Sequence, residues 1–464
     1  MQNQKKTSKS LKKTVSLKTY LLSILMVCAV AIGGVWYVRT SSRDSGVYPG
    51  APSYTIWTDG AGNYFAKDAY GNLAFSGTNA SYVIQSAIYA LPHVLVSLPF
   101  GNYPVVSAPN GKIQFTAQQF NISNYLIIPL GSRITLCGCG ITYQSFGTGK
   151  QGGTQIISSD PRGCLVAADY GTYVNGTSVT KVSGSELEIE SIEFYQRTTL
   201  ANASASAVYL SGASQGILDN VVITSYRQWG NITSGYGLNI NNYDCGGCWR
   251  WSRLQIEGFA NSIQDYSDVL EADQLELSYA YQALTIWVTP YKHYQAVHFG
   301  YVENCLTVAG GNDDLEMDCV YVESYRCNNK YYAWWANSSL FTGLVIINQL
   351  EVNVLQGSPS SKIWSVYNSQ CFMFENVVTR DGIPNFPNPT TPVLASGTQY
   401  ANTFSQLVEV NIFGGTVTAI VVRGITTNIT SGSFLLYPGN TIEVTYSSAP
   451  SWCWLGLANA LKTP

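Results

Sequence analysis

The sequence predicts an all-β chain, a right-handed parallel β-helix with an N-terminal capping helix and a small C-terminal antiparallel, sandwich-like β module. Three observations predict it. Short runs of β-branched and aromatic residues follow one another, separated by Gly, Asn, Asp and Ser. Apolar pairs within them recur at a nearly fixed interval, and only one segment has convincing helical periodicity. The pairs are Val221/Ile223, Leu254/Ile256, Leu275/Leu277, Phe299/Tyr301, Val320/Val322, Val345/Ile347 and Phe372/Phe374, at steps of 33, 21, 24, 21, 25 and 27 residues. Repeats of this size signal a solenoid. Strands at each step point to stacked coils whose inward residues form columns. The fixed Leu and Asn frame of a leucine-rich repeat is missing, and hairpin turns every 8–12 residues, the sandwich signature, fit this region poorly.

Composition narrows the function. The chain has 464 residues, 46% hydrophobic and only 11% charged, which excludes a disordered chain. Six lysines (Lys5, Lys6, Lys9, Lys12, Lys13, Lys18) lie in residues 1–18, so the remainder carries a net charge of −9 against −3 for the whole. An acidic body speaks against nucleic acid as a partner. Residues 19–38 hold an uncharged apolar run (20–38) behind this basic tail, which argues for export with the tail inside. The run reads either as a retained signal anchor, making the membrane a partner, or as a signal peptide cut after Ala29-Val30-Ala31. Either way the body is expected to be secreted or on the extracellular face of the membrane. Residues 39–56 read as a linker, 57–402 as the β-helix and 403–464 as the terminal module.

Within the β-helix region, Val83, Ile84, Ala87, Ile88 and Leu91 repeat at helical spacing before Pro92. In the terminal module, strand-like runs at 407–412, 416–422, 433–436 and 441–446 flank a Pro438-Gly439-Asn440 turn. This module is expected to cover the last coil's open edge.

After the helix comes Val96-x-Leu98-Pro99-x-Gly101-x-Tyr103, then Ile134-Thr135-Leu136-x-Gly138-x-Gly140 and Thr154-x-Ile156. This resembles the opening coils of the pectin-lyase-like β-helix superfamily, which includes pectate lyases and polygalacturonases, over roughly residues 55–400. The resemblance implies a helix capping the first coil and a polysaccharide or cell-surface glycan as partner. It does not fix a reaction, since one fold hosts many activities. Two readings stay open: a polysaccharide lyase or glycoside hydrolase, and a non-catalytic adhesin or spike. The polygalacturonase pattern is matched only by Asp313-Asp314, without its G-H-G or R-x-K.

Aligning positions 254, 275, 299 and 320 places Arg253, Gln274, His298 and Cys319 in one outward column, and Gln255, Glu276, Gly300 and Tyr321 in the next. With coils about 4.8 Å apart, Glu276 and His298 share a surface suited to acid–base work on a sugar. Asp313 and Asp314 are further catalytic candidates. Acid groups at 265–273 and 313–318 could hold calcium at coil turns. Arg253, Tyr291, His293, Tyr321, Trp334 and Trp335 are substrate-binding candidates, because rings stack on sugar faces. Three histidines (His93, His293, His298) make a multi-histidine zinc site untenable. An exported chain permits disulfides, with Cys139/Cys164 and Cys305/Cys327 spaced to meet on adjacent coils. Sequons at Asn79, Asn121, Asn175, Asn202, Asn231, Asn337 and Asn428 are glycosylation candidates. Assembly as a homo-oligomer is left open.

Overall fold

Stacked coils require each strand to find parallel partners one period earlier and later, and the computed structural model has that arrangement. It describes residues 51–96, 106–129, 131–141, 153–167, 185–225, 233–240, 248–289, 292–323, 333–337, 339–353, 366–379 and 388–457. All described strands belong to the unit Pro52–Pro464. Three parallel ladders run along the coils. Sheet 1 begins with Tyr54–Thr58, Val106–Phe115, Arg133–Cys137 and Ser185–Glu190 and ends with Val345–Asn348 and Phe372–Glu375. Sheet 2 begins with Gln119–Ile122, Thr154–Ser158 and Ile192–Gln196 and ends with Glu351–Asn353 and Val378–Thr379. Sheet 3 begins with Leu126–Ile128 and Leu165–Ala167 and ends with Trp334–Ala336 and Val366–Tyr367. In the middle, Val269–Val288 and Lys292–Gly311 each contribute to all three sheets.

The bend between sheets 1 and 2 is made by one left-handed residue per coil. Ser191, Asn220, Arg253, Gln274, Ala296, Cys319, Gln349 and Asn376 have φ between 50° and 56°. A left-handed conformation costs a non-glycine residue roughly 1–2 kcal/mol, so the ladders on either side must hold it. Side chains at this corner bond along the axis: Asn220 Nδ2 donates to Ser191 Oγ at 3.1 Å, and Asn376 Nδ2 to Asn348 Oδ1 at 2.8 Å. Inside, the columns are aliphatic and aromatic. Phe120, Ile156, Phe194, Ile223, Ile256, Leu277, Phe299, Val322 and Val352 follow one another along sheet 2, all fully buried. This interior is where so charge-poor a chain places its apolar side chains, away from water. Among the described residues no helix is long and apolar enough to cross one, and the run 20–38 lies outside them.

The capping helix α1 (Ala80–Tyr89) starts at Asn79, whose side chain accepts from Tyr82 N at 3.2 Å. It buries Val83, Ile84, Ala87 and Ile88 against the first coil. At the other end, two antiparallel sheets enclose Val408, Val410, Ile412, Ile420, Leu436, Ile442, Val444 and Trp454. Their junction with the last coil is hydrogen-bonded: Phe374 N donates to Ser405 O at 2.8 Å, and Ser405 Oγ to Ser369 O at 2.9 Å.

Three expectations need correction. Leu275 pairs with Val297, not Phe299, so the expected register slips by two residues at that coil. Val345/Ile347 and Phe372/Phe374 belong to sheet 1, whereas the earlier pairs belong to sheet 2. A three-sided coil carries an apolar pair on each face, so several phases satisfy one interval. Cys139 and Cys164 do not stack on adjacent coils: they occupy one coil, after its sheet 1 strand and before its sheet 3 strand, and both are free thiols. Cys139 Sγ donates to Phe115 O at 3.1 Å, while buried Cys164 donates to Gln196 Oε1 at 3.5 Å. Cys305 is buried, and its expected partner Cys327 lies outside the described residues.

Candidate functional site

Outward positions on sheet 2 form two columns along the axis. The first runs Glu193, Val222, Gln255, Glu276, His298, Tyr321 and Glu351. The second runs Tyr195, Thr224, Glu257, Ser278, Gly300, Glu323 and Asn353. Glu276 and His298 are direct cross-strand partners. They meet despite the register error because a slip of two residues keeps each side chain on its face. Arg253, by contrast, aligns with Gln274 at the corner and pairs with Asp219 at 2.9 Å, away from these columns.

His298 is the centre of the group. Its Nδ1 lies 4.0 Å from Glu276 Oε1, and its Nε2 lies 3.4 Å from Glu323 Oε2, each side chain being about one-third exposed. The reach to Glu323, one coil on and one column over, depends on Gly300. A Cβ there would sit tightly, 3.2 Å from Ser278 Cβ, and would touch His298 Nε2 at 3.6 Å, so a side chain larger than a methyl group would press on the leaning ring. Tyr321 packs against the same ring at 5.0 Å. Burial lowers the His298 pKa, with Glu323 opposing it, so the imidazole stays neutral to lower pH than usual.

The carboxyl groups differ in environment. Burial raises the pKa of Glu257, which Gln255 and Ser278 partly offset. Glu193 is raised in the same way, although Thr224 Oγ1 donates to it at 3.1 Å. At the bend into sheet 3, Tyr279 and Tyr301 both adopt left-handed backbone. Their rings stack at 4.9 Å with a 4° interplanar angle. The Tyr279 hydroxyl is pushed up to about 12, by burial first, then by Tyr301 and the negative charges of Glu257, Glu323 and Glu276. One phenol therefore senses all three carboxylates. By this register Ser278 and Gly300, with little or no side chain, form a strip between Glu276 and His298 in the neighbouring column and the paired tyrosines at the bend, and this strip is the channel of the site.

A cavity of about 440 Å³ lies beside it, lined by Cys319, Tyr321, Gln349, Glu351, Asn376 and Val378. Sequence reasoning missed Glu257, Glu323, Tyr279 and Tyr301 as site residues. Both glutamates lie two residues past a residue of the expected outward columns, and correct phasing at Val297 puts Glu323 beside His298.

Other candidates lie elsewhere. Asp313 and Asp314 sit at the turn from sheet 3 into sheet 1, where Asp314 Oδ1 accepts from Leu344 N at 2.7 Å. They are turn-forming acids and do not join Glu276 and His298. His293 stands on sheet 1 with Asp318 at 3.1 Å. Trp334 is fully buried in the core against Phe299 and Phe374, so it touches no substrate. Its neighbour Trp335 faces outward on sheet 3 and stacks on Tyr367 at 5.9 Å. Alternation along the strand separates the two tryptophans. Tyr291, Asn175 and Asn231 lie outside the described residues. Asn79, Asn121, Asn202 and Asn428 are exposed and Asn337 is half-buried. Of the acids considered for calcium, Asp265 is fully buried, and the described residues contain no group of three or more His, Cys, Asp or Glu poised around one ion.

No family model matches the chain, and no curated protein matches it. Among solved structures it is similar, at 10% identity and a TM-score of 0.20, to WceF of Pantoea stewartii. That protein is described as a glycan biofilm modifying enzyme with a bacteriophage tailspike-like parallel β-helix fold. The likeness covers 74% of this chain and 56% of that one, so the chain spans little more than half of its length.

Proposed function

We propose that the outward face of sheet 2 binds a neutral polysaccharide and hydrolyses its glycosidic bonds. The observation that carries this reading is the stacked Tyr279/Tyr301 pair set alongside Glu257, Glu276 and Glu323 in one exposed channel. Rings of this kind accept a sugar face, while nearby carboxyl groups hydrogen-bond hydroxyls and move protons.

Charge favours a neutral chain over an acidic one. The two outward columns carry five carboxylates (Glu193, Glu257, Glu276, Glu323, Glu351) and no lysine or arginine. A uronate would meet like charge here, with no lysine or arginine in these columns to offset its carboxylate.

Hydrolysis needs one protonated and one ionised carboxyl group. Glu257, whose burial raises its pKa and which stands beside Ser278 in the second column, keeps its proton to higher pH than an ordinary carboxyl and acts as the acid. Glu276 and Glu323, on either side of His298, supply the base or nucleophile, and the neutral imidazole, with one N–H to donate, orients Glu323. In line with the expectation of export, the chain would act on glycans outside the cell, held or released by its N-terminal segment.

The test is incubation of the chain with neutral and acidic polysaccharides, reading reducing ends and unsaturated products. Reducing ends from a neutral chain, lost in Glu276→Gln, are expected. Retained binding without cleavage across the panel would replace hydrolysis by the adhesin reading, and cleavage confined to uronates would overturn the substrate class.

A further inference from the structure

The interior holds a second cluster that the channel does not use. Asp265 ends the sheet 3 strand Phe259–Asp265, and Lys292 opens the strand Lys292–Gly311 on the far side of an intervening coil. Both side chains are 0% exposed, and Nζ lies 2.9 Å from Asp265 Oδ2. Three other donors complete the carboxyl group. Tyr294, also fully buried, donates its hydroxyl to Oδ2 at 2.5 Å. Ser267 donates to Oδ1 twice, from its backbone N at 2.9 Å and its Oγ at 2.6 Å. Nζ also donates to the Asp265 main-chain carbonyl at 3.2 Å, which holds it beside the carboxyl carbon.

We infer that Lys292 and Asp265 condense in the folded core to an amide between Nζ and Cγ, with loss of one water. The parts for acyl transfer are in place. The Nζ lone pair forms the new bond to Cγ, and the carbonyl π pair moves onto Oδ1. The Ser267 N–H and O–H already point at that oxygen, as an oxyanion hole requires. Collapse breaks the Cγ–Oδ2 bond, and Oδ2 leaves as water with two protons that the lysine ammonium supplied. Tyr294 passes one of them across Oδ2 and ends as it began. No oxidant or cofactor enters, and atoms and charge balance from the ion pair to a neutral amide plus water.

Two physical arguments favour the product. A buried ion pair keeps a desolvation cost that a neutral amide does not, and burial already lowers the Lys292 pKa, bringing the free amine within reach. Fixed groups in a dry site react with effective concentrations of roughly 10⁵–10⁸ M, while hydrolysis needs water at a position with no exposure. The link would tie two coils across the one between them. Coils of a solenoid otherwise touch only their neighbours, so the staple would oppose fraying of the shaft.

The test is peptide mass analysis of the full chain under denaturing conditions. The expected result is a branched peptide joining the segments around Asp265 and Lys292, lighter than their sum by one water. Lys292→Arg should abolish it. Asp265→Asn should yield the same branched peptide by loss of ammonia instead, a signature that a merely structural ion pair cannot give. Recovery of Lys292 only in an unbranched peptide of full mass would overturn the inference and leave a buried ion pair. So would a missing water that maps elsewhere.

Discussion

Sheets 1 and 2 both present a histidine among carboxylates on an outward face, yet they differ in what surrounds it. On sheet 1, His293 is 45% exposed beside Asp318, and on other coils of the same ladder acids have basic partners, as in Arg253–Asp219 and Arg133–Glu186. On sheet 2, His298 is more buried, at 30% exposed, while its acids are about as exposed as Asp318; the two columns carry no lysine or arginine and have aromatic neighbours on both sides. The first arrangement is a solvated charged surface, where pairs contribute about 0–1 kcal/mol. The second perturbs Glu257, His298 and Tyr279 together, and perturbed groups converging in a channel mark a site. Residue type alone does not distinguish the two faces; burial and pairing do.

The largest effect expected from this contrast is on chemistry. Glu257→Gln should lower the rate of glycan cleavage roughly 10²–10⁴-fold, the usual range for loss of a general acid. Glu271→Gln on sheet 1 should leave that rate unchanged, both read as reducing ends against time. Equal losses would erase the distinction.

Next is Gly300→Val, which drives a branched side chain against Ser278 and the His298 ring. Overpacking of this kind costs about 1–3 kcal/mol, measurable by urea unfolding. The substitution should also separate His298 from Glu323 and move the His298 NMR titration.

The pH dependence sharpens the contrast further. The folded His298 pKa lies below its ordinary value of 6.5. Its contribution to stability is therefore present above that value and lost as pH falls through the folded pKa. Thermal unfolding followed from pH 8 downward should show a loss in this window that His298→Gln removes. Glu257 works in the opposite sense: with its folded pKa raised, its contribution is present below the ordinary carboxylate value and fades as pH rises through the folded one. The smallest effect is Arg253→Ala, expected to cost at most about 1 kcal/mol because the pair with Asp219 is exposed.

How much of this was legible depends on which property each residue expresses. The inward column through Ile256, Leu277 and Val322 could be read from period-2 alternation, because burial of apolar side chains is what selects those residues. Phase was harder. Val297 and Phe299 are both inward and apolar, so sequence alone gave no reason to prefer one, and the outward neighbours of His298 shifted with that choice. Trp334 and Trp335 are chemically identical but lie on opposite faces of one strand. The acids near 265 looked solvated, yet Asp265 points inward, because Lys292 and Tyr294 satisfy it from 27 and 29 residues further along the chain. No local pattern reveals a partner at that distance.

The most direct test of the sheet 2 site is a carboxyl footprint taken with and without a neutral oligosaccharide. Water-soluble carbodiimide labelling would be read residue by residue by mass spectrometry. Glu276 and Glu323 should lose reactivity in the presence of sugar, while Glu271 and Glu316 should react as before. Protection confined to the sheet 1 acids, or none on sheet 2 under conditions where the sugar is bound, would contradict the account.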